Sequence, residues 1–264
     1  MLRYAPDAPD VVKRISFSVP SGSKLAIVGP TGSGKSSLFN AFLRLLEPQS
    51  GSIVIDGWNI GRIGLEDLRS RLYLVPQDPV ILSGTLRSVL DVLGEFDDAK
   101  LLACLEAVHL VTDDNSAGKS PFSNLDMPIA ENGSNLSQGQ RQLLCVARAL
   151  LHKSRIVLFD EASSCIDYTT DMRITETVHQ VFDKCTVITI AHRLRTVIGY
   201  DKVMYMDHGK IMELDEPAKL LDDKSSHFYR LCKQTGPAEF QFLVEAAKQA
   251  ASKRQAPLTI AASS

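Results

Sequence analysis

Apolar residues run without alternation through KLAIVG (Lys24 to Gly29), RIVLFD (Arg155 to Asp160), TVITIAH (Thr186 to His192) and KVMYMD (Lys202 to Asp207). Such runs read as strands buried on both faces of a sheet. SGSIVIDG, set between turn residues, and LYLVPQ, which ends at a proline, read as two more strands. Helical spacing takes over in SSLFNAFLRLL, in LLACLEAVHL and in NLSQGQRQLLCVARALL, where Leu143, Leu144, Ala147, Leu150 and Leu151 share a face. Thr169 to Phe182 and Arg193 to Tyr200 also read as helical, and Ser120 to Asn135 as a polar loop. Strands alternating with helices predict an α/β fold, a sheet covered by helices. Beyond about Lys233 the composition shifts toward Ala, Gln, Lys and Ser. There Phe240, Leu243, Val244, Ala247 and Ala251 predict a solvated surface helix, and KRQAPLTIAASS reads as disordered. No internal repeat is visible.

Composition narrows the function classes. The chain has 264 residues, 44% of them hydrophobic, enough for a sizeable core. Its formal charge of −2 supplies no basic field for nucleic acid or an anionic membrane surface. The five cysteines are scattered, without CxxC or Cys/His spacing, and read as reduced thiols in the cytosol. No apolar run approaches the roughly 20 residues of a membrane-spanning helix, so any membrane role is indirect.

Chemistry enters with GPTGSGKS, the residues Gly29, Pro30, Thr31, Gly32, Ser33, Gly34, Lys35 and Ser36, followed by Ser37. The stretch fits GxxxxGK[ST] and lies between a strand and a helix, where a polyphosphate cradle must lie. Small residues let backbone N–H groups and the helix N-terminus converge on phosphate, so a nucleotide polyphosphate is the expected ligand. Lys35 is expected to reach the β- and γ-phosphates, and the Ser36 hydroxyl to ligate Mg²⁺. RIVLFDE then delivers two carboxylates at the carboxyl end of a strand. Asp160 is expected to hold Mg²⁺, and Glu161 to polarise the water that attacks the γ-phosphate. An apolar run ending in Asp-Glu also occurs at ordinary turns; the phosphate loop beside it is what points to catalysis.

With the phosphate loop, NLSQGQRQL and RIVLFDE in this order, the chain resembles the nucleotide-binding domain of ABC transporters, above all the second such domain of the multidrug-resistance-associated (C) subfamily. The resemblance covers about Leu2 to Leu231. It implies a P-loop ATPase domain with a mostly parallel core sheet, an antiparallel β subdomain and an inserted helical subdomain over about residues 84–152. The cassette is expected over residues 1–235, with a tail over 236–264. In that family the LSGGQ signature caps a helix facing ATP held by the other domain of a head-to-tail dimer. Ser137, Gly139 and Gln140 match it and are expected to bind the partner's nucleotide, which explains a small, polar entrance on a helix whose body faces the core. Gln138 stands where a glycine is usual, as often in the second domain of this subfamily. The resemblance therefore implies an unequal pair: the site built on Lys35, Asp160 and Glu161 competent, the site completed by this signature slow or nucleotide-holding.

Further positions follow the family's motifs. Gln77, in PQDP, resembles the Q-loop glutamine that touches Mg²⁺ or the attacking water and links to transmembrane domains. His192, in TIAHR, resembles the H-loop histidine on the γ-phosphate. SSCID (Ser163 to Asp167) resembles the D-loop, with Cys165 in place of the usual small residue. Tyr4 falls where an aromatic stacks on adenine. Ala130, Glu131, Asn132 and Gly133 resemble the loop that senses the transmembrane domains, Asn132 and Ser134 departing from the glycine-rich form.

The resemblance implies the ATP-hydrolysing motor of an exporter, on the cytosolic face of a membrane, paired with a non-identical second cassette and driving transmembrane domains of the same transporter. A regulatory nucleotide sensor of a channel-associated protein is the alternative. A soluble ATPase acting on DNA or ribosomes is disfavoured, because neither coiled coils nor a second cassette is present, and no nucleic-acid partner is expected. The start at Met1 and the missing membrane spans suggest a fragment of a larger polypeptide.

Overall fold

The computed structural model describes residues 1–5, 7–111, 120–160, 175, 177–178, 180–191 and 193–255. In chain order the elements are β1 (Lys24–Val28), α1 (Lys35–Phe42), β2 (Val54–Ile55), β3 (Trp58–Asn59), α2 (Leu65–Arg69), β4 (Leu72–Val75), β5 (Gly84–Thr85), α3 (Leu86–Leu90), α4 (Asp98–Ala107), β6 (Pro128–Ile129) and α5 (Gln138–Leu151). They continue with β7 (Ile156–Asp160), β8 (Thr186–Ile190), α6 (Leu194–Val197), β9 (Lys202–Asp207), β10 (Lys210–Asp215), α7 (Pro217–Asp222), α8 (His227–Lys233) and α9 (Pro237–Gln255).

The main sheet has six strands in the order β10-β9-β1-β8-β7-β4. All neighbours are parallel except β10, which returns antiparallel along β9. Successive side chains of a strand point to opposite faces. In β1, Leu25 and Ile27 therefore join Phe39, Phe42 and Met204 on the α1 side, while Ala26 and Val28 join Leu144 and Ala147 of α5 on the other. Both faces are covered, which is why the strands read as unbroken apolar runs. The helical part, α3 to α5, closes around Leu101, Leu105, Phe122 and Leu144, each nearly inaccessible to water. Burial of one such aliphatic side chain contributes roughly 1.5–3 kcal/mol. Two small antiparallel ribbons, β2-β3 and β5-β6, complete the α/β architecture.

Short elements that the sequence reading did not mark include α2, α3 and β6, the last inside the expected polar loop over Ser120 to Asn135, and four further departures bear on the packing. Helix α1 stops at Phe42 rather than running to Leu46. Arg44 turns to φ 51, and its guanidinium donates to the carbonyls of Ile60 and Ile63 at 3.1 and 2.7 Å, so a tertiary anchor ends the helix. The strand expected across SGSIVIDG pairs only at Val54–Ile55, because the Asp56-Gly57 turn, at φ 49 and 82, folds it back at once. Strand β10 has no counterpart in the sequence reading. Its signal was the His208-Gly209 pair, at φ 47 and 77, which makes a tight hairpin after KVMYMD.

The fourth departure is the C-terminal helix. Leu243 and Ala247 of α9 are 0% and 2% exposed and belong to the main core, so α9 is docked rather than solvated. It continues through Gln255, past the point where KRQAPLTIAASS was expected to lose order; residues 256–264 lie outside the described residues. Polar contacts add to the apolar ones. Arg195 makes a two-point pair with Glu239, its Nε donating at 2.6 Å. Arg254 donates to the carbonyls of Gly199 and Tyr200, both at 2.8 Å, and pairs with Asp201, whose carboxylate also accepts from the Lys24 amide that opens β1. Helix α8 is fastened likewise: Glu213 of β10 accepts from Ser226 Oγ and from the amides of His227 and Phe228.

Candidate nucleotide site

The sheet register assembles the site. Parallel pairing aligns Ile27 of β1 with Ile190 of β8, and Ile190 with Asp160 of β7, while Val75 of β4 sits beside Phe159. The carboxyl ends of four parallel strands therefore lie along one edge, which is where open α/β sheets hold ligands. The phosphate loop leaves β1 at this edge, Asp160 ends β7 there, and the loop bearing Gln77 leaves β4 there. Glu161, Ser163 to Asp167 and His192 lie outside the described residues. In the sequence Glu161 directly follows Asp160, and His192 is two residues beyond Ile190.

Backbone conformation makes the phosphate loop possible. Gly29 has φ 141, and a Cβ there would overlap the Met206 carbonyl oxygen. Gly34, the N-cap of α1, has φ 98, and a Cβ there would come 2.8 Å from the Val11 carbonyl. An L side chain at either position is strained as well as crowded. No side chain caps α1, so its first-turn N–H groups remain directed into the loop. Gly32, at φ 79, has open space around it, and Thr31, Gly32 and Ser36 are exposed. Beneath them the Ser33 hydroxyl is buried without a partner. Lys35 is 5% exposed, and its ammonium donates to the carbonyls of Gly29 and Pro30, both at 2.9 Å. Amide donors, one lysine and a hydroxyl without a carboxylate in the first helical turn form a donor set that fits a polyphosphate.

Tyr4 reaches the same loop. It is 60% exposed, and its phenol is 2.9 Å from Ser37 Oγ, so an accessible aromatic face stands beside the start of α1.

The signature residues lie elsewhere on the edge, on a helix that packs beside β4. Ser137 N-caps α5: its Oγ accepts from the Gln140 amide at 3.2 Å, and Gln140 Oε1 accepts from the Ser137 amide at 2.9 Å. This reciprocal capping box engages both side chains with their own helix. The small entrance is thus a cap in the single chain, while Gly139 is buried within the first turn.

Gln77 itself is exposed, but its main chain is held. The buried amide of Gln142 donates to the Gln77 carbonyl at 2.7 Å and to the Pro76 carbonyl at 3.2 Å. Arg148 donates to the carbonyl of Val89 at 2.6 Å, and Asn135 ties Ala130 and Pro128 to the entrance of α5. Sequence reasoning passed over Gln142, Arg148 and Asn135. The available signal was a polar residue, Gln142, within an otherwise apolar face. Among the described residues no group of three or more His, Cys, Asp or Glu is arranged to hold a metal ion.

Known proteins agree with this geometry. The ABC transporter family model matches residues 12–164. The chain is 45% identical over 255 residues to human ATP-binding cassette sub-family C member 4, covering 96% of this chain and 19% of that protein. It is 44% identical over 266 residues to the ATP-dependent bile acid permease of Saccharomyces cerevisiae, covering 94% of this chain and 16% of that protein. It thus spans less than a fifth of the length of these relatives. A bacterial Atm1-family ABC exporter solved with ATP bound matches with a TM-score of 0.80 at 30% identity, over 89% of this chain and 41% of that one. No helix among the described residues is long and apolar enough to cross a membrane. The phosphate loop, the carboxyl edge and the signature helix are therefore those of a known architecture: this chain belongs to the ABC transporter family, as an ATP-binding cassette of the sub-family C type.

Proposed function

We propose that the chain binds and hydrolyses ATP as the motor domain of an exporter, and that it is the second, hydrolytically competent cassette of an unequal pair. The observation that supports this reading is the alignment of Ile27, Ile190 and Asp160 on one sheet edge, which puts the phosphate loop and Asp160 at the same end. The loop from Gly29 to Ser37 binds the polyphosphate, Lys35 moves from its two carbonyl partners onto the β- and γ-phosphates, and Tyr4 stacks on the base. Ser36, Asp160 and Gln77 hold Mg²⁺, which when bound neutralises phosphate charge. Glu161 orients the attacking water and His192 contacts the γ-phosphate, while Gln77 helps place both water and metal. Ser137, Gly139 and Gln140 serve ATP held by a partner cassette; the N-terminal end of α5 favours that anion even while Ser137 caps it.

Two exposed apolar residues beside Gln77, Val80 at 69% and Leu82 at 58%, flank the buried anchor Ile81. The loop bearing Gln77 is assigned to the contact with transmembrane domains at the cytosolic face of a membrane, as the likeness of PQDP to the family's Q-loop implies. Partner exchange between open and closed cassettes would pass motion through this loop.

The test is Mg-ATP hydrolysis measured against the concentration of the purified chain. ATP bound with little or no activity at any concentration is the outcome expected of one half of an unequal pair, and specific activity that climbs with concentration would mean that the signature with Gln138 completes a competent site in a self-pair. A chain that fails to bind ATP at any concentration removes the reading.

A further inference from the structure

Helix α5 and the loop of Gln77 are far apart in the chain, and at the Gln77 end of that loop the Gln142 side chain joins them. Gln142 is 1% exposed and sits between Leu143, Leu144 and the β4 end of the sheet. Its Nε2 donates to two consecutive carbonyls, Pro76 at 3.2 Å and Gln77 at 2.7 Å, whereas its buried Oε1 has no partner among the described residues. A buried amide that satisfies only one end is unfavourable compared with a leucine or methionine of similar volume. Its printed hydrogen bonds run to the loop after β4 and not to α5 itself. What the amide does is fix the main chain at the residue whose side chain is the metal and water ligand of the proposed site.

We infer that Gln142 is a positioning residue: it locks the main chain of Pro76 and Gln77 to the signature helix, so that the Gln77 side chain and the helix carrying Ser137 and Gly139 move as one body. The physical reason is lever length. Gln142 lies five residues, little more than one turn, beyond the Ser137 cap of α5, and a turn rises about 5.4 Å. A displacement of the signature end therefore reaches Gln77 through one side chain and two short hydrogen bonds. Arg148, one to two turns further along α5, donates to the Val80 carbonyl at 3.4 Å, so the loop is held at both ends by the same helix. Ile81, next to Val80 in the chain, is 1% exposed, and a Cβ on Gly133 would stand only 3.2 Å from its own. The two ends of the loop thus have no route to move independently of α5.

The role rests on the reading of Gln77 as a ligand of metal or water, and its test separates the two ideas. Gln142→Met keeps the volume and removes the donor. Hydrogen exchange in the chain without nucleotide is expected to quicken at least tenfold at the amides of residues 77–82, with the melting temperature not lowered and the metal-free ATP affinity unchanged. Equal exchange in a folded Gln142→Met chain overturns the lock, whatever the chain does with ATP. Should that variant not fold, nitrogen-15 spectra of the parent decide: the side-chain amide of Gln142 is expected to exchange far more slowly than that of exposed Gln49. Equal rates overturn the proposal. Under turnover, Gln142→Met is expected to lower kcat with KM nearly constant, and to have no further effect in a Gln77→Ala background. Additive losses in that double mutant would show that Gln142 does not act through Gln77.

Discussion

The Tyr4 phenol stands 2.9 Å from the Ser37 hydroxyl, across 33 residues of chain, and fixes an exposed ring at the mouth of the phosphate loop. That hydrogen bond orients the ring, but the ring face is what a nucleobase would use. Tyr4→Phe is therefore expected to keep most of the ATP affinity, while Tyr4→Ala loses about 1–3 kcal/mol, roughly five- to hundredfold. Equilibrium titration with ATP and with inorganic triphosphate checks this, because triphosphate has no base and its affinity is expected to be the same in all three chains. Equal ATP affinity in Tyr4→Ala excludes stacking.

Lys35 already spends its charge on two carbonyls at 2.9 Å, so phosphate has to compete with Gly29 and Pro30 for the ammonium. Removing the ammonium by Lys35→Ala loses charge-assisted bonds of about 1.5–3 kcal/mol, an affinity drop of roughly ten- to hundredfold. Isothermal titration with ATP reads it directly. An unchanged Kd would mean that the ammonium stays on the loop carbonyls when nucleotide binds.

Glu161 carries the catalytic assignment. Glu161→Gln keeps the side chain's size and removes its charge, so ATP binding is expected to persist while turnover falls by at least a hundredfold. Chromatography with Mg-ATP should then collect a closed dimer or a complex with the partner cassette. Turnover equal to that of the parent chain would sink the role given to Glu161.

The C-terminal helix makes stability depend on pH. The hydrogen bond from Arg195 holds the Glu239 carboxyl below its ordinary value of 4.5. A carboxyl with a depressed folded-state pKa contributes stability that is present above the unfolded value and is lost as pH falls through the folded one. Between pH 6 and 3 the parent is expected to lose more thermal stability than Glu239→Gln, whose amide does not titrate. Parallel losses in the two chains would mean that the pair contributes nothing to docking α9.

Much of this molecule is legible without coordinates wherever a local rule carries the information. Unbroken apolar runs mark strands covered on both sides, and the core strands β1, β7, β8 and β9 stand where those runs are. Glycine at 29 and 34 in the phosphate loop is required by backbone angles, and a motif records such requirements one residue at a time. The ligand class is legible for the same reason: a phosphate cradle is built from consecutive amides, so its whole design lies within GPTGSGKS.

Tertiary structure decides whatever depends on residues far apart in the chain. Arg44 ends α1 by reaching Ile60 and Ile63, and no local propensity announces that stop. The helical spacing of Leu243 and Ala247 was visible, but spacing shows a face and not what covers it, so only the fold shows α9 docked instead of solvated. Ser137 and Gln140 could be read as a phosphate-facing entrance, yet in the single chain they close a capping box. The join between Gln142 and Gln77 spans 65 residues and runs to a backbone carbonyl, which carries no side-chain signature. By itself, then, the sequence determined the α/β class, the phosphate loop and the order of the motifs, because each is encoded by neighbours in the chain; the tertiary structure alone decided which helix ends early, which one docks and which side chain holds the Gln77 loop, because those outcomes are set by groups that meet only after the chain has folded.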